Sequence, residues 1–166
     1  KTGNIRYITL IALLSISILS AQEGKVKKAD EQFDSYAYID ARKIYLNVVE
    51  DGYESAQVFK KLGDTYYFNS EYTEAAKWYR LAAQQGYDCA QHNLGYCFEY
   101  GLGVSENHAE AAKWYRKAAE QGDANAALSL GNAYMRAQGV PQDFAEGLKW
   151  VKLAAERGDM GAQLIM

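Results

Sequence analysis

From residue 38 onward, apolar side chains recur at three- and four-residue steps. Ala111, Tyr115, Ala118 and Ala119 form one such stripe, the pattern of a helix packed along one face. The stripe is itself repeated. Trp78, Trp114 and Trp150 lie 36 residues apart; Gly86, Gly122 and Gly158 keep that step, as do Ala90, Ala126 and Ala162. The segments 75–86, 111–122 and 147–158 therefore align residue by residue, with Gly147 for alanine and Val151 for tyrosine in the last copy. A weaker copy upstream places Ala41, Tyr45, Val48, Gly52 and Tyr53 before Ala75, Tyr79, Ala82, Gly86 and Tyr87 by a step of 34. A fixed period of this length marks a stack of supersecondary units, each burying its apolar face against the next.

Each unit reads as two helices. The second begins at a polar cap, Asn107 with Glu110 or Asp143 with Glu146, with Glu71 and Glu74 as a poorer version in the same phase. It ends at the glycine of positions 52, 86, 122 and 158, where a left-handed residue is wanted. The first helix carries Leu62-Gly63-Tyr66, Leu94-Gly95-Phe98 and Leu130-Gly131-Tyr134. The glycine admits a close partner helix and the aromatic ring fills the space beside it. The loop between the two helices is four residues longer in the last two units, where Gly101-Leu-Gly103-Val104 and Gln138-Gly139-Val140-Pro141 appear. Eight helices are expected, at about 25–36, 38–51, 55–68, 72–85, 88–100, 108–121, 124–136 and 144–157. The expected fold is all-α, a right-handed α-α superhelix of antiparallel helix pairs. Its units are 22–54, 55–87, 88–122 and 123–158, and residues 159–166 start a further repeat or form a tail.

The opening departs from this pattern. Lys1 and Arg6 are its only charges, 7–19 is a mostly apolar run, and Ser20-Ala21 offers small residues before Gln22. A basic start, a short apolar middle and small residues at the cut are the layout of a secretory signal peptide, residues 1–21, and 13 apolar residues are too few for a spanning helix. The chain is therefore expected to be exported, to the periplasm or the outer membrane. Membrane contact would arise only through an uncleaved signal segment or through a partner. Without Lys1 and Arg6, 16 basic side chains face 21 acidic ones, a net charge of −5. That balance excludes the basic footprint nucleic acid requires. The two cysteines, Cys89 and Cys97, sit eight apart in one expected helix, with backbones about 12 Å apart, beyond disulfide reach. They read as two small core residues, or else as free thiols.

Residues 56–87 resemble a tetratricopeptide repeat through Phe59, Leu62, Gly63, Tyr66, Ala75, Tyr79 and Ala82. Residues 88–122 and 124–158 resemble Sel-one-like repeats, whose marks here are Ala90, Leu94-Gly95-Tyr96, Gly101-x-Gly103-Val104, Ala112-x-Trp114-Tyr115 and Ala118-Ala119-x-x-Gly122. The resemblance implies a scaffold that binds a protein or peptide. Secreted cysteine-rich members staple each helix pair with a disulfide; the corresponding second-helix places here are Ala83, Ala119 and Ala155, so the staple is missing. The opening and Val48–Gln57 resemble the first part of Bacteroidetes outer membrane protein A family proteins.

No motif for chemistry emerges, and no catalytic residue, cofactor or metal is expected. No serine is followed three residues on by lysine, no His-Glu-x-x-His occurs, and Gly101-x-Gly103 lacks the third glycine of a nucleotide loop. His92 and His108 fall on different helices and read as groove-lining or solvent-facing. The tryptophans read as core or shoulder packing. The expected function is a non-catalytic scaffold or adaptor. The candidates for its concave face are first-helix positions not used by the packing pattern: Lys60, Asp64, Tyr67, His92, Tyr96, Glu99, Leu128, Asn132 and Met135. The alternative is a secreted hydrolase acting on cell-wall or β-lactam substrates.

Overall fold

The structure is a computed structural model that describes residues 2–165, with side chains described over 15–164. Among the described residues it contains nine helices: α1 (Thr2–Asp34), α2 (Tyr38–Glu50), α3 (Ala56–Phe68), α4 (Tyr72–Gln84), α5 (Asp88–Tyr100), α6 (His108–Gln121), α7 (Ala124–Arg136), α8 (Phe144–Glu156) and α9 (Met160–Ile165). Each helix packs chiefly on its neighbours in sequence, as pairs α1–α2, α3–α4, α5–α6 and α7–α8 stacked one on the next. The first helix differs from the expectation of a start near residue 25. It runs unbroken from Thr2, with no proline to interrupt it. Most of the expected export segment lies outside the residues whose side chains are described. Among the described residues, no helix is long and apolar enough to cross a membrane.

The core is a segmented column. Ala29, Ala41, Tyr45, Val58 and Leu62 make one cluster across α1–α3; Phe59, Ala75, Ala82, Ala90 and Leu94 belong to the next; Ala111, Ala118, Ala126, Leu130, Val151 and Ala162 belong to the last. Alanine at these places brings the helices close, and the first-helix glycines bring them closer. A methyl added at Gly63 would overlap the Tyr79 ring, and one at Gly95 would lie 2.8 Å from the Tyr115 ring. In the last pair the two departures from the repeat compensate each other. With Val151 in place of the ring and Gly147 in place of alanine, the backbones approach further, and a methyl on Gly147 would lie 2.9 Å from the Gly131 carbonyl. The tryptophans are shoulder residues, half-buried; Trp78 lies 5.7 Å from Phe59, centroid to centroid.

The caps form as the residue types require, with one difference. The Asn107 and Asp143 side chains accept from the amides of Glu110 (3.0 Å) and Glu146 (2.9 Å), while Glu71 makes no such bond. The reciprocal half of the capping box is replaced. The Asn107 and Asp143 amides donate to Phe98 and Tyr134 carbonyls, and the Glu110 and Glu146 carboxylates turn to Lys113 and Lys149. Gly52, Gly86, Gly122 and Gly158 all have positive φ, between 87° and 118°. The longer loops are tied identically: Leu102 donates to Cys97 as Gln138 does to Ala133.

Where disulfide-stapled relatives place a cysteine, side chains here tie consecutive pairs through backbone carbonyls. Gln91 donates to Ala83 (3.2 Å), Gln163 to Ala155 (3.1 Å), and Arg157 to Ala119 (2.7 Å). Arg157 serves the middle junction because Ala127 occupies the place that Gln91 and Gln163 hold elsewhere. Cys97 is buried as expected, but Cys89 is exposed rather than a core residue. It falls in the first turn of α5, where the helix face turns outward.

Candidate functional site on the groove of the first helices

Three second-helix tyrosines reach across their pairs to carboxylates on the first helices. Tyr45 Oη donates to Asp30 (2.5 Å), Tyr79 Oη to Asp64 (3.0 Å) and Tyr115 Oη to Glu99 (2.5 Å). Burial first, and then the adjacent carboxylate, pushes each of these phenols well above the usual tyrosine range. They stay protonated donors and hold a row of carboxylates along the face of the first helices. Two rungs carry a lysine: Lys60 Nζ donates to Asp64 at 2.7 Å, and Lys61 Nζ lies 4.0 Å from both Asp30 and Asp34, with the same ammonium 4.1 Å above the Phe33 ring.

Between α1, α3 and α5 this face opens into a cavity of about 430 Å³. Phe33, Lys60, Tyr67, Phe68, His92 and Tyr96 line it, with Asp64, Tyr79 and Asn93. Five of the nine predicted face residues, Lys60, Asp64, Tyr67, His92 and Tyr96, thus meet at one place. Its walls are aromatic: Phe33 and Phe68 have centroids 6.1 Å apart, Tyr67 and Phe68 5.9 Å, and Tyr96 continues the row to Tyr100 at 4.5 Å. Phe68 is 54% and Tyr96 38% exposed, so these faces are open to an incoming group. His92 is half-buried with its ring 5.6 Å from Tyr115. Burial pushes its pKa down, against the opposing pull of Asp123 and Glu99.

Asp64 takes a particular place among these five, and the other four candidates lie outside the cavity. Asp64 is only 5% exposed, its two oxygens taken by Tyr79 and Lys60, and it acts as the floor of the cavity rather than as a free contact. Leu128 and Met135 pack against the last core cluster: with glycine at 147 and 161, their side chains fill the space a methyl would take. Asn132 is half-buried on α7, outside the cavity. Glu99, one turn beyond Tyr96, accepts from Tyr115 and is hydrogen-bonded to Tyr100. His108 sits apart from His92, 3.2 Å from Glu106. Among the described residues, no three potential metal ligands gather. Burial pushes the Cys97 thiol up to about 11 and raises Cys89 as well, with Asp88 and Asp123 adding to it, which keeps both as thiols.

Sequence reasoning missed Phe33, Phe68 and Asp30. The signal was available for two of them: Phe33 precedes Tyr67, and Asp30 precedes Asp64, by the same 34 residues that relate Tyr45 to Tyr79. Phe68 had no such partner, because Asp34 holds its place one unit earlier.

The structure is similar to a Sel1 repeat protein from Oxalobacter formigenes, at 31% identity over 82% of this chain and 57% of that one, with a TM-score of 0.75. A protective antigen present in uropathogenic Escherichia coli strains, displaying an SLR fold, is also 31% identical over 84% of this chain and 35% of its own, with a TM-score of 0.69. The chain thus spans little more than half of the first protein and about a third of the second. YrrB, a TPR protein with an unusual peptide-binding site, superposes with a TM-score of 0.63 over 87% of this chain and 73% of its own; at 18% identity the likeness shows the fold alone. No curated protein matches. The Sel1 repeat family model matches residues 61–87, 90–123 and 124–159, extending to the unit that reads as tetratricopeptide-like. These matches do not bear on the resemblance of the opening to outer membrane protein A family proteins. Stacked pairs of this kind make a scaffold suited to protein–protein interaction. With three tandem matches covering more than half of its 166 residues, and helix pairs stacked as those repeats require, the chain belongs to the Sel1 repeat family.

Proposed function

We propose that the chain is a non-catalytic adaptor that holds a polypeptide partner in the groove of its first helices. The observation that carries this reading is the aromatic cavity of about 430 Å³, where five predicted face residues converge around an already neutralised Lys60–Asp64 pair. Exposed aromatic rings supply contact area at low entropic cost and dominate many interfaces. The peptide-binding site of YrrB is a precedent on the same fold. Phe68→Ala with Tyr96→Ala removes two open walls at little expected cost to folding. The test immobilises that double variant, the unaltered chain and Lys77→Ala with Lys113→Ala on the opposite helices, and compares the polypeptides each retains from periplasmic extract. The aromatic variant is expected to lose the retained bands and the lysine variant to keep them. Equal retention by all three would rule out the groove.

We further propose that the adaptor works after export, in the periplasm or at the outer membrane. Supporting this, side chains 15–21 are all exposed and Gln22 is the first buried one, 8% exposed, donating to Asp51 at 3.0 Å. Among the described side chains, burial thus sets in at the residue where the sequence expects the cut. Expression of the full chain in a Gram-negative bacterium, with mass spectrometry of the periplasmic fraction, is expected to find an N-terminus at or within a few residues of Gln22. Intact protein confined to the cytoplasm would refute the export reading.

A further inference from the structure

Each of the three second-helix tyrosines holds a carboxylate, but the third comes from one helical turn further along its first helix: Asp64 corresponds to Tyr96, and Glu99 to Tyr67. Asp64 has Lys60 at 2.7 Å, and Asp30 has Lys61 at 4.0 Å. Glu99, half-buried and bonded to Tyr115, forms no ion pair within 4.0 Å among the described residues. The nearby basic groups do not serve it. Arg136 acts on Tyr100 without pairing with Glu99, and His92, whose pKa burial pushes down although Glu99 pulls it up, makes no ion pair with it either. A carboxylate partly removed from water, with only neutral donors around it, is a place where a cation gains more than on an open surface.

Its position relative to the cavity sets a register. Tyr96 forms a cavity wall, and Tyr100, its ring tilted against that of Tyr96 at 4.5 Å, hydrogen-bonds Glu99. One helical turn, about 5.4 Å, separates the wall from the carboxylate. An extended peptide advances roughly 3.3 Å per residue, so a group seated in the cavity and one reaching Glu99 would be about two residues apart.

We infer that the groove selects a linear peptide segment carrying an apolar anchor, which fills the aromatic cavity, and a lysine or arginine about two residues away, which pairs with Glu99. This rests on the groove being the binding surface. Charge complementarity is what identifies the occupant: among the described residues Lys60 is the one lysine or arginine lining the cavity, and Asp64 satisfies it, while Asp30 and Asp34 share Lys61 and Glu99 has no ion pair, which leaves this face net acidic. An acidic partner, or one held through its C-terminal carboxylate, would find no unpaired lysine or arginine lining the cavity among the described residues.

The test uses the full chain and degenerate dodecapeptide pools with leucine or phenylalanine fixed at the centre and all other positions random. Retained peptides are sequenced for the unaltered chain and for Glu99→Gln. The substitution keeps an oxygen that accepts from Tyr115 and removes only the charge, and a thermal melt by circular dichroism verifies that the fold is kept. The unaltered chain is expected to enrich lysine and arginine at least about threefold two residues from the anchor. Glu99→Gln is expected to abolish that enrichment while keeping the anchor preference, and to weaken the best peptide roughly five- to thirtyfold, with a smaller dependence on salt. Retention without basic enrichment, or enrichment unchanged in Glu99→Gln, would overturn this inference and leave the groove reading standing. Failure to retain any anchored peptide, or retention that survives Phe68→Ala with Tyr96→Ala, would overturn both.

Discussion

Gly139→Ala is expected to cost about 2–5 kcal/mol. Two costs coincide at this residue. Its φ of 73° lies in the left-handed region, which penalises an L side chain by about 1–2 kcal/mol. Its missing β-carbon also faces backbone: an added methyl would overlap the His108 carbonyl group and the Ala109 amide at the start of α6. Backbone cannot rotate aside, so the loop would have to lift from the preceding helix pair. Gly103 is built the same way against Tyr72 and Thr73, with φ of 70°, and Gly103→Ala should behave alike. Gly86 is the control, because its φ is 89° but nothing lies within 4 Å of the added methyl. Gly86→Ala should show only the conformational cost, about 1–2 kcal/mol. Urea titrations followed by circular dichroism separate the two cases. If Gly139→Ala and Gly86→Ala lose the same stability, the loop does not dock on the preceding unit.

Ala118→Leu is expected to cost about 1–3 kcal/mol through overpacking. Ala118 is fully buried, at 0% exposure, in the cluster that joins α6 to α7 and α8. Its carbonyl also accepts the Gly122 and Asp123 amides that close α6. Three extra carbons would push α7 away and loosen the contact through which consecutive pairs stabilise each other. Glu120→Leu, exposed on the same helix, is the control and should fall within about 0.5 kcal/mol of the unaltered chain. Equal urea midpoints for the two substitutions would show that the helix face is wrongly assigned.

The two expectations draw on different sources. The burial of Ala118 follows from its place in a three- and four-residue stripe repeated every 36 residues. The clash at Gly139 does not follow from any pattern. The sequence shows glycine in both longer loops, but not that the loop lies on the N-terminal turn of the preceding second helix. The groove divides in the same way. Tyr67, His92 and Tyr96 were legible as first-helix positions outside the packing stripe. Leu128 and Met135 satisfy the same rule and yet pack inward, because Gly147 and Gly161 open space beside them. Asp64 satisfies it too, but Tyr79 and Lys60 occupy both of its oxygens.

By itself, then, the sequence determined the helix pairs, their stacking order, their left-handed ends at Gly52, Gly86, Gly122 and Gly158, and the close approach at Gly63, Gly95 and Gly131. These depend on local periodicity, on backbone dihedrals and on the presence or absence of a β-carbon, all of which repeat with the unit. Only the tertiary structure decided which first-helix side chains remain free, that Phe33 and Phe68 complete the cavity, that Cys89 is exposed, and that Glu99, held by Tyr115, has no basic partner within 4.0 Å among the described residues. Those outcomes depend on side chains contributed from neighbouring units some 15 to 35 residues away, and there the repeats differ from one another.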